Sequence, residues 1–215
     1  GSGKMGGALL GNWMRASDNF TVIDPALESV PDGAELVREM QELSGRAFDV
    51  IVIAVKPQLI AAVMPAYSAM LAQTGYTLSI AAGCEIARIK SAMGDVPVVR
   101  GMPNLPAAIG KGVSAVCGSA DASDVHLAHA SAMMERTGTV VTVADEDKID
   151  RFTAIAGSGP GYIFEFARSY VDAAIELGFT KTEARAMVLD MIEGTIAMAR
   201  SSQEELSELR NSVTS

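Results

Sequence analysis

Three short stretches combine residue types that could do chemistry. Ala156-Gly157-Ser158-Gly159-Pro160-Gly161-Tyr162 gathers glycines, a proline and a hydroxyl just ahead of a helix-like run. Arg100-Gly101-Met102-Pro103-Asn104-Leu105-Pro106-Ala107 places two prolines around an amide just after an apolar strand. The chain opens with Gly1-Ser2-Gly3-Lys4-Met5-Gly6. Glycines at a helix start leave backbone N–H groups accessible, and these groups together with the helix dipole seat phosphates and carboxylates. A GxGxxG spacing is weak by itself and needs a strand before it and a helix after it. The helix is present, because Gly7 to Trp13 is apolar. The strand is not, and we expect one of about half a dozen residues ahead of Gly1. In that frame Gly1 makes the tight turn, Gly3 lets the backbone approach a pyrophosphate, and Gly6 lets helix and sheet pack closely.

The elements that would carry these loops alternate. Residues 20–23, 48–55, 76–80, 96–99, 112–116 and 139–143 read as strands, several of them continuous β-branched runs suited to burial on both faces. Helices are expected over residues 4–16, 33–43, 58–71, 85–93 and 122–136. This alternation argues for an α/β fold, a Rossmann-type doubly wound and mainly parallel sheet, over residues 1–144. From residue 145 onward no strand is convincing. Helices are expected over residues 147–156 and 162–177, with Gly178 in the left-handed position past the second. Thr180 and Glu183 form a capping box for a helix running to about Arg200, and Ser202 and Glu205 repeat that pattern. Residues 145–215 therefore read as the start of an all-helical domain. Its Met187, Val188, Leu189, Met191, Ile192, Ile196 and Met198 are more apolar surface than short helices can bury alone, which calls for further chain or a second subunit.

In such a sheet, ligands bind at the carboxyl ends of strands. Asp24 ends a strand 21 residues after Gly3, where an acid accepts from a ribose 2′-hydroxyl. A 2′-phosphate there would meet like charge, about 4 kcal/mol at roughly 4 Å and an effective dielectric near 20. Pro25, Ala26 and Leu27 follow it with no basic residue, so NADH is favoured; the plainer alternative is a turn-forming Asp-Pro pair. Ala54-Val55-Lys56-Pro57 ends the strand read at residues 48–55, where Pro57 stops it and suits helix entry. Ala81-Ala82-Gly83 leaves room for a flat ring.

Composition limits the partners. The chain has 215 residues, 49% hydrophobic and 20% charged, with a net charge of −9 and 17 basic residues that form no run. Nucleic-acid and anionic-membrane roles both need a positive patch and are disfavoured. No apolar run reaches the ~20 residues that span a bilayer, and no signal peptide is evident, so a cytoplasmic location is expected. Cys84 and Cys117 lack CxxC spacing and read as buried free thiols. His126 and His129 read as a partly exposed helix face. Asp145, Glu146, Asp147 and Asp150 read as charges complementing a helix start, with no metal.

Taken together, the glycine loop, Met102-Pro103-Asn104 and Gly157-Ser158-Gly159-Pro160 resemble the pyrroline-5-carboxylate reductase family, along nearly the whole chain. The resemblance implies reduction of 1-pyrroline-5-carboxylate to L-proline by hydride transfer from NADPH or NADH, the last step of proline biosynthesis. It implies cofactor contacts from Gly1, Ser2, Gly3, Lys4, Met5, Asp24, Ala54, Val55, Lys56, Pro57, Ala81, Ala82 and Gly83. It places Met102, Pro103 and Asn104 as one wall of the substrate site, with Asn104 an orienting hydrogen-bonder. Gly157, Ser158, Gly159 and Pro160 form the opposing wall and carboxylate seat. Asn104, Ser158, Thr214 and Ser215 are the candidate catalytic residues. It also implies a homodimer through the helical domain, with decamers in parts of the family.

The chain departs from the family pattern at Ala156, where Ser is usual, at Gly161, where Ala is usual, and at Arg168, where an acid is common. Members continue past Val213-Thr214-Ser215 with Pro-Gly-Gly and a hydroxyl residue that binds the substrate from the partner subunit. Hydrogen bonds to a carboxylate contribute roughly 1.5–3 kcal/mol each. A 215-residue polypeptide is therefore expected to lose about 10²–10⁴ in transition-state binding and to belong to a chain of about 265–280 residues. Two other readings compete. One is a hydroxyacid-type dehydrogenase, which needs a catalytic Lys such as Lys148 or Lys181. The other is a non-catalytic dinucleotide sensor.

Overall fold

The computed structural model describes residues 2–14 and 18–214. The expected site residues Gly1 and Ser215, and the end of the first expected helix, lie outside the described residues. Two compact units divide at Pro160 and Gly161.

Unit 1 is built on two sheets. β1 (Thr21–Ile23) pairs in parallel with β2 (Glu35–Val37). The second sheet runs β3 (Phe48–Ile53), β4 (Leu71–Ser79), β5 (Val98–Met102), β6 (Gly112–Gly118), β7 (Gly138–Thr142), in that spatial order. β3, β4 and β5 are mutually parallel, β6 runs against β5, and β7 is parallel to β6. The mainly parallel α/β architecture is thus present. Alternation along the strands feeds two cores. Val98 and Cys117 go to one with Ile53, Ile60, Ile89 and Met93; Val99 and Val116 go to the other with Leu9, Trp13, Leu78 and Met134. The helices α1 (Lys4–Trp13), α2 (Ile60–Val63), α3 (Ile86–Met93), α4 (Asp124–Glu135) and α5 (Glu146–Phe152) supply the covering layers. Trp13 is locked by its indole N–H donating to the Met133 carbonyl at 2.8 Å.

The structure corrects several of the sequence-derived elements. Residues 33–43 are not a helix: they form β2 and a short 3-10 turn at Met40–Leu43. Helix-forming Glu and Leu are outweighed there by pairing with β1, through contacts that local pattern does not contain. Residues 58–71 are broken into a 3-10 turn, the short α2 and a second 3-10 stretch at Met64–Met70, because Pro65 removes a donor. β5 begins at Val98 rather than Val96, past Pro97, and extends to Met102. The last capping box uses Glu205 and Glu208 rather than Ser202 and Glu205, and Ser202 accepts from the Glu204 N–H instead.

Unit 2 is helical: most of α6 (Gly159–Glu176), α7 (Lys181–Ser201) and α8 (Leu206–Val213). Thr180 and Glu183 cap α7 reciprocally, as the spacing indicates. Gly178 takes φ +99° after α6. Ala167, Ala184 and Val188 are buried, whereas Phe164, Phe166, Ile196 and Met198 are more than half exposed. Arg168 pairs along its own helix with Glu165 at 2.6 Å and Asp172 at 2.5 Å.

Candidate active site

The parallel arrangement of β3, β4 and β5 brings their carboxyl ends to one edge of unit 1, with the loops at residues 54–57, 81–83 and 102–104. Lys56 is exposed and starts the turn that Pro57 opens. Gly83 adopts φ +66°, a conformation that favours glycine, and the turn closes with the Cys84 N–H on the Ala81 carbonyl.

α1 begins after Gly3, which is extended and gives no side-chain cap. The N–H groups of its first turn therefore have no intrahelical acceptor. A Cβ on Gly3 would meet nothing within 4 Å, so that face is open. The Ser2 N–H donates to Asp24 Oδ2 at 2.8 Å, and the Ala26 N–H donates to Oδ1 at 3.0 Å. These contacts hold the Asp24 carboxyl below its ordinary value, the Ser2 bond first and Ala26 adding to it against the opposing effect of partial burial. Each oxygen keeps a lone pair for a hydroxyl donor. An open helix start beside an ionised carboxylate fits a dinucleotide: N–H donors for phosphate and an acceptor for a ribose hydroxyl. A cavity of about 620 Å³ lies between β1 and β3; Ser2, Gly6 and Ala54 of the expected cofactor loops line it with His129 and Met133, whereas none of Met102, Pro103, Asn104 or Ser158 does.

The two expected walls are brought together within unit 1. Asn104 is buried, and its Nδ2 donates to the Ala156 carbonyl at 3.0 Å. Its Oδ1 accepts from the Val113 N–H at 2.9 Å. Both ends of the amide are thus on backbone. Residues Thr153–Gly157 form a π-helical turn in which the Ser158 N–H reaches back to the Thr153 carbonyl at 2.9 Å. A Cβ on Gly157 would stand 3.3 Å from Met102 Cε and 3.2 Å from Thr153 Cγ2. Ser158 is exposed, and Gly159 and Pro160 open α6. Thr214 lies in unit 2 at the end of α8, its hydroxyl donating to the Asn211 carbonyl at 3.0 Å.

A buried ion-pair cluster was missed by the sequence reading. Arg100 is only 2% exposed and donates to Glu146 at 2.8 Å and Asp150 at 3.0 Å. Burial disfavours its charge, but the two carboxylates outweigh that and hold its pKa above the ordinary value. Glu146 Oε1 also accepts from the Ile86 N–H at 2.9 Å. One carboxylate therefore joins β5, the start of α3 and the start of α5. The acidic cluster only partly complements a helix start: Asp145 accepts from the Lys148 N–H, but two of its members neutralise Arg100. The available signal was an arginine inside an apolar strand, since such a residue is seldom buried unpaired. Among the described residues, no group of three or more His, Cys, Asp or Glu is arranged to hold a metal, and no helix is long and apolar enough to cross a membrane.

Residues 146–215 match the model for pyrroline-5-carboxylate reductase dimerisation. A pyrroline-5-carboxylate reductase of Pseudomonas aeruginosa is 34% identical over 224 residues, covering 100% of this chain and 82% of that one. The chain belongs to the pyrroline-5-carboxylate reductase family. The enzyme of that name from Corynebacterium melassecola is 32% identical, with 100% and 83% covered. The solved pyrroline carboxylate reductase of Plasmodium falciparum with NADP bound superposes with a TM-score of 0.88 at 25% identity, covering 100% of this chain and 82% of that one. Family membership gives the helical residues a role that their exposed apolar side chains already suggested.

Proposed function

We propose that the protein reduces 1-pyrroline-5-carboxylate to L-proline with NADPH or NADH, as a cytoplasmic homodimer joined through its helical unit. The observation that carries this reading is the approach of the Met102–Asn104 strand end to the Ala156–Ser158 turn, beside an edge of loops suited to a dinucleotide, in a chain of this family.

In this reading the first-turn N–H groups of α1 hold the phosphates, with Ser2, Gly3, Lys4 and Met5 around them, and Asp24 accepts from the ribose. Ala54, Val55, Lys56 and Pro57 line the dinucleotide, while Ala81, Ala82 and Gly83 leave space for its ring. When bound, the reduced nicotinamide supplies the hydride. Met102 and Pro103 form an apolar wall that excludes water from the reacting carbon. Gly159, where α6 begins, leaves its backbone N–H accessible to the substrate carboxylate, and the exposed Ser158 hydroxyl hydrogen-bonds the substrate. Orientation of this kind contributes several kcal/mol of rate enhancement. The apolar residues of α6 and α7, Phe164, Phe166, Ile196 and Met198 among them, are covered by the second subunit.

The test is turnover: loss of reduced-nicotinamide absorbance with 1-pyrroline-5-carboxylate, with NADPH and NADH in parallel, and identification of proline as product. Dinucleotide binding without turnover would instead favour a sensor.

A further inference from the structure

We propose that Asn104 is a positioning residue: it supplies the hydrogen bond that Pro160 cannot, and so keeps the Ala156–Ser158 turn in register with Met102. Its catalytic consequence rests on the reductase reading; its structural content does not.

In a continuing α-helix the Ala156 carbonyl would accept from the N–H of residue 160. Residue 160 is proline and has none. A shielded carbonyl without a partner is costly, so native structures supply one. Here it is Asn104 Nδ2, 3.0 Å away. The amide has no rotational choice, because the Val113 N–H requires an acceptor and the Ala156 carbonyl requires a donor. An amide of this length meets both demands, whereas aspartate meets only the first and alanine neither.

The braced segment is one that needs bracing. Residues 153–157 are wound as a π-helical turn, a geometry that is rarely sustained and is used at functional sites. The turn carries Gly157, whose Cα hydrogen side faces Met102 so closely that a Cβ would come within 3.3 Å of Met102 Cε. Asn104 follows Met102 by two residues, so a single short segment both forms one wall and fixes the other. Loss of the brace frees the turn to unwind toward α-helical spacing, moving Ser158 relative to Met102. Misplacement on the order of 1 Å can cost roughly a hundredfold in rate.

The experiment compares the parent, Asn104→Ala, Asn104→Asp, Pro160→Ala and the double variant Asn104→Ala/Pro160→Ala. Hydrogen exchange across residues 153–158 and the split between kcat and KM for 1-pyrroline-5-carboxylate are read together, with dinucleotide binding confirming that each variant is folded. Asn104→Ala should speed exchange in the turn and lower kcat by roughly tenfold to a hundredfold, with KM changing far less. Asn104→Asp should match it, since the Val113 contact survives and the Ala156 contact does not. Pro160→Ala restores an N–H that can take over the Ala156 carbonyl, so adding Asn104→Ala in that background should cost only a few-fold. An equal fold-loss in both backgrounds, or unchanged exchange in Asn104→Ala, overturns the proposal. A parent-like Asn104→Asp also overturns it. Absence of imine turnover by the parent would sink the reductase reading instead, and the exchange measurement would still decide the brace.

Discussion

The Arg100 cluster makes an asymmetric prediction about stability. Arg100 is almost wholly buried, whereas the Glu146 side chain is 29% and that of Asp150 63% exposed. Removing the arginine therefore strands charges that water can reach; removing Glu146 strands a charge that it cannot. Arg100→Met keeps most of the packed volume and leaves two carboxylates that can hydrate, at a cost of about 1–2 kcal/mol. Glu146→Ala leaves the guanidinium with Asp150 alone and removes the acceptor of the Ile86 N–H, at a cost of about 3–5 kcal/mol. The double variant Arg100→Met/Glu146→Ala no longer holds an underpaired buried charge and should be more stable than Glu146→Ala alone. Urea unfolding followed by circular dichroism measures all three. If Arg100→Met destabilises as much as Glu146→Ala, or the double variant is weaker than Glu146→Ala, the view of Glu146 as the joint between β5, α3 and α5 is wrong.

Further predictions concern the loops and the surface. Asp24→Asn should raise the NADPH-to-NADH ratio of kcat/KM, by relieving repulsion at a 2′-phosphate; an unchanged ratio would mean that Asp24 does not face the ribose. The same variant carries a pH signature. Because the folded-state pKa of Asp24 lies below the ordinary value of 3.8, its ionised contacts stabilise the fold above that value and are lost as pH falls through the lower one. The parent should therefore be more stable than Asp24→Asn at neutral pH, and the gap should close under strong acid. Gly157→Ala should reduce kcat while leaving dinucleotide binding intact, because the new methyl presses on Met102 and Thr153; a parent-like kcat would place the reacting groups elsewhere. Met198→Glu, on a side chain 67% exposed, should shift the homodimer toward monomer in sedimentation velocity, and an unchanged dimer would put the interface on another face.

What the sequence disclosed follows the physical range of each signal. Continuous apolar runs such as Phe48–Ile53 and Gly112–Gly118 declare buried strands, and the Thr180 and Glu183 pair declares a helix start, because the causes are local. β2 did not declare itself: three residues amid helix formers become a strand only through pairing with Thr21–Ile23. The site is similar. The motif residues Met102, Asn104, Gly157 and Ser158 could be named, but the partners of Asn104 could not, since Val113 and Ala156 are nine and 52 positions away. Arg100 stands in a legible motif but its partners are not legible, because Glu146 and Asp150 sit 46 and 50 positions on, in a cluster with a sufficient local explanation.

The measurement that bears most directly on the central claim is oxidation of NADPH and NADH by the protein in the presence of 1-pyrroline-5-carboxylate, with proline quantified in the product. Turnover that depends on the imine and yields one proline for each reduced dinucleotide consumed is expected. Tight dinucleotide binding with no imine-dependent oxidation would contradict it.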